Sequence, residues 1–280
     1  MLVFSAFMVI RIALDYRKGE DNYRMLDQQF ILPPKTPIQE ATVYAPEATL
    51  ETDLPTIAAS DEAEDGTPSP SDTELQPKET PFPTETPATT FSETAPISVD
   101  FDGLLKLNDE CIGWIYIPDT SVSYPVMHAN NNSKYLDKLP DGTDNKVGSI
   151  FMDFRCDEDL TDRNTIIYGH NMQNGSMFAV FEKYEKRSFF DTHRTVYYLT
   201  PDGDYKITVF ACATVSATGE SYSLYENVQS LHAYLKSVLK GAHVSAPVDA
   251  DRIDRIITLS TCTGRYGTRI VLLGIAERLS

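Results

Sequence analysis

Two residues able to support nucleophilic chemistry lie seven positions apart near the end of the chain, a thiol at Cys262 and a guanidinium at Arg269. The segments Arg255–Thr261 and Arg269–Ala276 are rich in β-branched residues and predict two buried strands. The six residues between Cys262 and Arg269 include two glycines, which suit a reversing loop. A nearby cation lowers the pKa of a thiol and stabilises an oxyanion that forms on an attacked carbonyl.

A thiol nucleophile also needs a group that moves protons, and His170 is the candidate. It comes just after the strand-like run Thr165–Tyr168, so we expect it at a strand end, as we do Cys262. The other histidines lack this setting and are interpreted as ordinary loop or surface residues: His128, His193, His232 and His243.

With these three residues in place, the second half of the chain resembles a sortase, specifically one of class B. The resemblance runs from about Phe101 to the C-terminus and rests on many motifs in the right order. They are Gly113-Trp-Ile-Tyr-Ile-Pro118, Tyr124-Pro-Val126, Tyr135-Leu136, Gly148-Ser-Ile-Phe-Met-Asp153, Ile166-Ile-Tyr-Gly-His170-Asn-Met172, Gly175-Ser-Met-Phe178 and Thr258-Leu-Ser-Thr-Cys262.

The strand pattern agrees with the fold that this resemblance implies. About eight short strands with few helices predict a mainly β protein, an eight-stranded sortase-type β-barrel with short peripheral helices. Ser176 is expected to cap a helix that carries Met177 and Phe178. Apolar residues at helical spacing predict the longest helix of this half at Asn227–Lys240, where class B sortases have an inserted helix.

The resemblance implies a role for each site residue. Cys262 would be the nucleophile, His170 the proton donor and Arg269 the group that holds the oxyanion. Arg265 is the competing arginine, but it falls in a glycine-flanked loop, whereas Arg269 begins a strand. His128 falls near the expected groove, and we favour a solvated role for it.

Four further residues match positions that contact the sorting peptide in similar enzymes: Leu136, Thr218, Tyr222 and Ser260. The interval between the cysteine and the arginine is shorter than in several class B relatives. This difference bears on the shape of the connecting loop.

Charge and proline are concentrated before this domain. The formal charge of −17 argues against nucleic-acid binding. Between Pro33 and Pro96 the chain has 13 acidic residues against 2 basic ones, together with 12 of its 17 prolines. Such a segment cannot bury enough apolar surface to fold. We therefore predict a disordered Pro/Thr/Glu-rich stalk at 33–97 and a catalytic domain at 98–280.

The N-terminus is apolar but reaches Arg11 after ten residues, which is short for a membrane-spanning helix. It could be the outer part of an anchor whose start is missing, a short anchor or an amphipathic helix. The stalk and the sortase resemblance favour a membrane anchor at 1–16, possibly truncated. A connecting helix is expected at 17–32.

Four cysteines (Cys111, Cys156, Cys212 and Cys262) have no C-x-x-C pairing and no spacing suited to zinc. Cys212 lies in an apolar run that is typical of an inert buried thiol, and we do not expect a disulfide. The chemistry that the resemblance implies needs no metal and no organic cofactor.

The resulting interpretation is a cell-surface cysteine transpeptidase, held at the membrane with its catalytic domain outside. Its partners would be exported proteins with a C-terminal sorting motif, cleaved after Thr, and a primary amine from a peptidoglycan precursor. Two alternatives use the same sequence: a cysteine endopeptidase that releases its product to water, and a non-catalytic stalked binding module. The motif sequence and the amine acceptor, wall peptide or pilin lysine, stay open.

Overall fold

The structure is a computed structural model that describes residues 2–34, 94–262 and 267–279. Its four α-helices are α1 (Leu2–Phe30), α2 (Phe101–Leu107), α3 (Arg187–Thr192) and α4 (Val228–Lys240). Its eleven strands are β1 (Ile31–Leu32), β2 (Ser98–Val99), β3 (Cys111–Tyr116), β4 (Ser123–Met127), β5 (Ile150–Met152), β6 (Asn164–Tyr168), β7 (Thr195–Thr200), β8 (Gly203–Ser216), β9 (Val244–Ser245), β10 (Ile256–Cys262) and β11 (Thr268–Arg278).

Eight strands close into a barrel. The order is β11-β10-β6-β5-β4-β3-β7-β8, and antiparallel pairing of β8 with β11 completes the ring, while β9 adds a short outer pairing to β8. The strands are apolar on their inner faces, and Trp114, Tyr198 and Phe210 are among the largest fully buried side chains. The prediction of a mainly β, eight-stranded barrel is confirmed.

The predicted helix of the second half is α4. Asn227 precedes it, and its side chain accepts a hydrogen bond from the backbone N–H of Ser230, so that it caps the helix. Leu231 and Leu235 are buried against the barrel, because apolar residues four apart lie on one face of a helix.

The prediction that Ser176 caps a helix is wrong. The segment after it is a short 3₁₀ helix, Ala179–Glu185, and Phe178 precedes that helix. Gly175 and Met177 both have positive φ values, 83° and 58°, so the backbone turns here and cannot enter a right-handed helix. The Ser176 hydroxyl instead donates to the side chain of Asn174 at 2.7 Å.

Helix α1 is more than a connection between anchor and stalk. Its C-terminal half packs on the barrel through Tyr23, Leu26 and Phe30, all at most 7% exposed. The Tyr23 hydroxyl donates to the backbone carbonyl of Gly148 at 2.6 Å, and Ser123 donates to the Asp27 carboxylate at 2.6 Å. The region expected to form a connecting helix therefore packs on the barrel.

The predicted anchor at 1–16 lies in the first half of the same helix. Among the residues that the structure describes, no helix carries an apolar stretch long enough to cross a membrane.

Strands β1 and β2 join the two sides of the acidic segment. They pair antiparallel, with Leu32 opposite Ser98 and Ile31 opposite Val99. Most of the predicted stalk, residues 35–93, lies outside the described residues. The residues that flank this segment, Leu32 and Ser98, are paired in one small sheet. The segment therefore does not hold α1 away from the barrel.

Candidate active site

Three adjacent strands bring the predicted catalytic residues to one end of the barrel. Cys262 is the last residue of β10 and lies directly opposite Arg269 of β11 in the antiparallel pairing. On the other side of β10, β6 runs parallel with Tyr168 beside Ser260, and the Gly169 N–H donates to the Ser260 carbonyl at 3.1 Å. His170 follows Gly169 immediately and lies two residues past the end of β6.

Arg269 occupies a fixed position in the sheet. It pairs with Cys262 on one side and with Val215 of β8 on the other. Its guanidinium donates to the Thr268 carbonyl at 3.0 Å, and the residue lines the groove described below. Directly opposed residues of an antiparallel pair have Cα atoms about 5 Å apart, which suits a cation placed beside a reacting thiol. The competing Arg265 lies outside the described residues.

His170 is held at the rim of the same groove. Its Nε2 lies 2.7 Å from the backbone carbonyl of Leu136. A carbonyl oxygen only accepts hydrogen bonds, so Nε2 carries a proton and the bond fixes the ring. Nδ1 is then the nitrogen that can accept or release a proton while the ring stays in place.

The structure does not give His128 the solvated role that we expected. Its side chain is 16% exposed and Nδ1 lies 2.8 Å from the Glu158 carboxylate. It is not among the residues that line the groove.

A groove of about 460 Å³ lies along these strand ends. Its lining includes His170 and Arg269, and all four residues predicted to contact a peptide: Leu136, Thr218, Tyr222 and Ser260. Leu136 is 44% exposed, which leaves its side chain available to a ligand. The structure thus brings together residues that are distant in sequence, while their contacts with a substrate stay a prediction.

One wall of the groove is the segment around Tyr222. This residue ends the short 3₁₀ helix Glu220–Tyr222, in the connection between β8 and α4. The Tyr222 hydroxyl lies 2.9 Å from the Ser260 hydroxyl, and its ring stacks on Tyr168 with a centroid distance of 6.0 Å. The wall is therefore connected to β10 two residues before Cys262.

The sequence analysis did not identify Asp153 and Arg155, two charged residues that line the groove, as candidate site residues. Asp153 is fully buried and receives hydrogen bonds from the Arg155 guanidinium, from Tyr168 and from Asn132. Burial alone would raise the pKa of the Asp153 carboxyl, but the hydrogen bonds, led by those from Arg155, lower it below its ordinary value. The available signal was an acid that ends a strand motif, with an arginine two residues later.

The other cysteines differ in character from a nucleophile. Cys111, Cys156 and Cys212 are buried free thiols. Burial raises the pKa of each of them to about 12, so almost none of these thiols is ionised at neutral pH. No group of acidic, histidine or cysteine residues in the described ranges is arranged to hold a metal ion.

Gly148 lies close to the Leu136 carbonyl and the His170 ring. We predict that replacing it by alanine displaces His170. Its φ is +62°, and a Cβ there would lie 2.6 Å from the Leu136 carbonyl and 2.9 Å from the His170 ring. We expect Gly148→Ala to cost about 1–3 kcal/mol of stability and to lower kcat/KM by roughly 10- to 100-fold, because His170 is displaced. Urea unfolding and steady-state kinetics would measure both.

Gly142→Ala is the matched control for this variant. Gly142 also has a positive φ, +82°, but a Cβ there meets nothing within 4 Å. It should lose stability through backbone strain alone and keep its activity. Equal activity losses in the two variants would contradict the assigned role of the Gly148 contact.

Comparison with known proteins agrees with this geometry. The model of the sortase domain family matches residues 115–276. Sortase B of Staphylococcus aureus is 35% identical over 185 residues, covering 64% of this chain and 75% of that protein. Sortase B of Listeria monocytogenes is 34% identical over 178 residues, covering 62% and 72%.

Solved structures give the same result. The structure of a Staphylococcus aureus sortase B–substrate complex superposes with a TM-score of 0.60 at 33% identity, covering 64% of this chain and 85% of that one. The resemblance to class B expected from the sequence motifs is confirmed. Because the family model matches more than half of its length, the chain belongs to the sortase family, the cysteine transpeptidases that anchor proteins to the cell wall.

Proposed function

We propose that this protein cleaves a sorting motif of exported proteins after a Thr residue and joins the new C-terminus to a primary amine. The Cys262 thiolate attacks the carbonyl carbon of the Thr, and a tetrahedral oxyanion forms beside the Arg269 guanidinium. The C–N bond then breaks, and His170 gives a proton to the departing amine. A thioester between Cys262 and the peptide remains.

The second half of the cycle uses the same groups. The nitrogen of an amine acceptor attacks the thioester carbonyl, and the C–S bond breaks to give back the thiolate. The proton lost by the amine returns to His170, so the enzyme ends as it began. Each residue therefore acts twice, and no outside oxidant or reductant enters the balance.

The observation that carries this proposal is the arrangement of three strand ends. Cys262 is paired with Arg269, and His170 lies two residues past the end of β6, the neighbouring strand on the opposite side of β10. Arg269 and His170 both line the groove of about 460 Å³. We assign peptide contacts in this groove to Leu136, Thr218, Tyr222 and Ser260.

The test separates transfer from hydrolysis. The full-length protein is incubated with a panel of quenched peptides that carry Asn-Pro-x-Thr or Pro-x-Thr-Gly motifs, each with and without an amine acceptor such as triglycine. Mass spectrometry identifies the products. We expect a peptide cut after Thr whose new carboxyl end is joined to the amine, and an enzyme adduct of the matching mass without acceptor.

Two results would contradict the proposal. Release of the free acid alone, at every amine concentration, would indicate an endopeptidase. A folded protein that forms no adduct with any peptide of the panel would refute the assigned substrate class. The location at the cell surface, with the domain outside, stays a prediction.

A further inference from the structure

The backbone of the groove wall is held at three consecutive carbonyl groups. The buried Asn164 side chain donates to the carbonyls of Ser221 and Ser223, at 3.0 and 2.9 Å. The carbonyl between them, that of Tyr222, accepts a hydrogen bond from the Arg155 guanidinium at 2.9 Å. The wall is therefore fixed by two side chains, Arg155 from the connection between β5 and β6 and Asn164 from the first position of β6.

These two supports differ in their exposure. Asn164 is fully buried, and its side-chain oxygen also accepts a hydrogen bond from Thr258 of β10 at 2.6 Å. It is part of the core, and its loss would leave buried polar groups unpaired. Arg155 is 40% exposed and lines the groove itself. Of the two, only Arg155 meets both the wall and the space that a ligand would fill.

Arg155 also belongs to a cyclic network of contacts with Asp153, Tyr168 and Tyr222. Its Nε and Nη2 bind the two oxygens of Asp153 at 2.8 Å each, and Asp153 in turn accepts from the Tyr168 hydroxyl at 2.8 Å. The Tyr168 ring stacks on the Tyr222 ring, and the Tyr222 carbonyl accepts the hydrogen bond from Arg155. A planar guanidinium can bind a carboxylate through two parallel bonds and still direct a donor elsewhere, which a lysine ammonium cannot do with fixed geometry.

We propose that Arg155 is a positioning residue for the substrate groove. It fixes the Tyr222 backbone and so directs the Tyr222 hydroxyl to Ser260, two residues before Cys262. The role rests on the proposed function, because the positioned wall is the one assigned to the sorting peptide. Arg155 sets how well the groove binds the peptide while leaving the Cys262 thiol and its partners unchanged.

The principal variant is Arg155→Lys, which keeps the positive charge beside Asp153 and so protects the fold. Arg163→Lys is the matched control, since Arg163 donates to the Asp254 carbonyl at 3.5 Å and does not line the groove. Peptide kinetics and the rate of Cys262 alkylation by iodoacetamide are measured for both in the full-length protein. For Arg155→Lys we expect KM for the peptide to rise on the order of tenfold, with kcat and the alkylation rate within about threefold of wild type.

A double-mutant cycle with Tyr222→Ala tests whether Arg155 acts through Tyr222. If it does, adding Arg155→Lys to Tyr222→Ala raises KM little further, because the group being positioned is already gone. Fully additive effects would overturn the proposal. So would an unchanged KM in Arg155→Lys, or a fall in melting temperature that alone accounts for the lost activity.

The outcomes for this proposal are separate from those for the function. If wild-type protein forms no acyl-enzyme with any peptide, the proposed function fails and no KM exists to compare. If wild-type and Arg163→Lys proteins transfer the peptide equally and Arg155→Lys does so with the same KM, the function stands and the positioning role is refuted.

Discussion

Replacing Cys262 by alanine is expected to abolish acyl transfer, with a loss on the order of 10⁴-fold or more in kcat/KM. None of the described residues that line the groove is a thiol able to form the thioester that the proposed cycle requires, and water attack without it lacks the covalent step. The fold should be unaffected, because the change removes one sulfur at a strand end. Thermal unfolding and the amine-transfer assay would measure stability and activity on the same sample.

The remaining cysteines supply an internal control for this prediction. At pH 7, iodoacetamide should label wild-type protein once, at Cys262, and should leave Cys262→Ala unlabelled. Burial raises the pKa of the Cys111, Cys156 and Cys212 thiols to about 12, so almost none of these thiols is ionised at pH 7. Residual transfer by Cys262→Ala, or equal labelling of the two proteins, would contradict the assignment of the nucleophile.

The barrel fold and the strand-end positions of the candidate catalytic residues could be predicted from the sequence, because the sequence patterns that indicate them are local. Cys262, His170 and Arg269 each adjoin a strand rich in β-branched residues, and strand ends are where a sheet exposes side chains. The β10–β11 hairpin joins neighbouring segments, so its register follows from a short loop. The pairing of β10 with β6 is less local, but the motif around His170 still marked the strand end.

Contacts between remote segments were not predictable in the same way. Arg155 looks like an ordinary surface arginine, because the carbonyl that it holds lies 67 positions away, at Tyr222. Asp153 ends a strand motif and gives no sign of being fully buried. Burial of an ionised carboxylate requires paired donors, and only the assembled barrel reveals that Arg155, Tyr168 and Asn132 supply them.

The role of α1 was missed for the same reason. The hydrogen bond from Tyr23 to Gly148 spans 125 positions, and the pairing of Leu32 with Ser98 bridges the whole acidic segment. Composition marks a change of character at Pro33. Composition cannot show that the residues before and after the acidic segment pair with each other as β1 and β2.

Removing α1 is therefore expected to destabilise the catalytic domain strongly. Burial of Tyr23, Leu26 and Phe30 contributes about 1.5–3 kcal/mol each, so a fragment of residues 94–280 should lose roughly 5 kcal/mol or more. That loss is comparable with the whole stability of a typical domain, about 5–15 kcal/mol. The fragment would also lose the hydrogen bond from the Tyr23 hydroxyl to the carbonyl of Gly148, a residue next to the His170 ring, so its activity should fall even where it remains folded. Urea unfolding and transfer kinetics at low temperature would show both effects.

Three changes distinguish the contribution of the helix from that of the acidic segment. Replacing residues 38–91 by about eight Gly and Ser residues keeps α1 and the β1–β2 pair. This replacement should leave the free energy of unfolding unchanged or raise it by up to about 2 kcal/mol, since closing a shorter connection between β1 and β2 costs less entropy.

Within the helix, Leu26→Ala should lower the free energy of unfolding by about 2–5 kcal/mol. Met25→Ala, at a residue that is 57% exposed, should lower it little. If the shortened chain unfolded as readily as the fragment, the acidic segment would be the stabilising element and the assigned role of α1 would be wrong. The opposite result would establish that α1, β1 and β2 stabilise the barrel without the acidic segment.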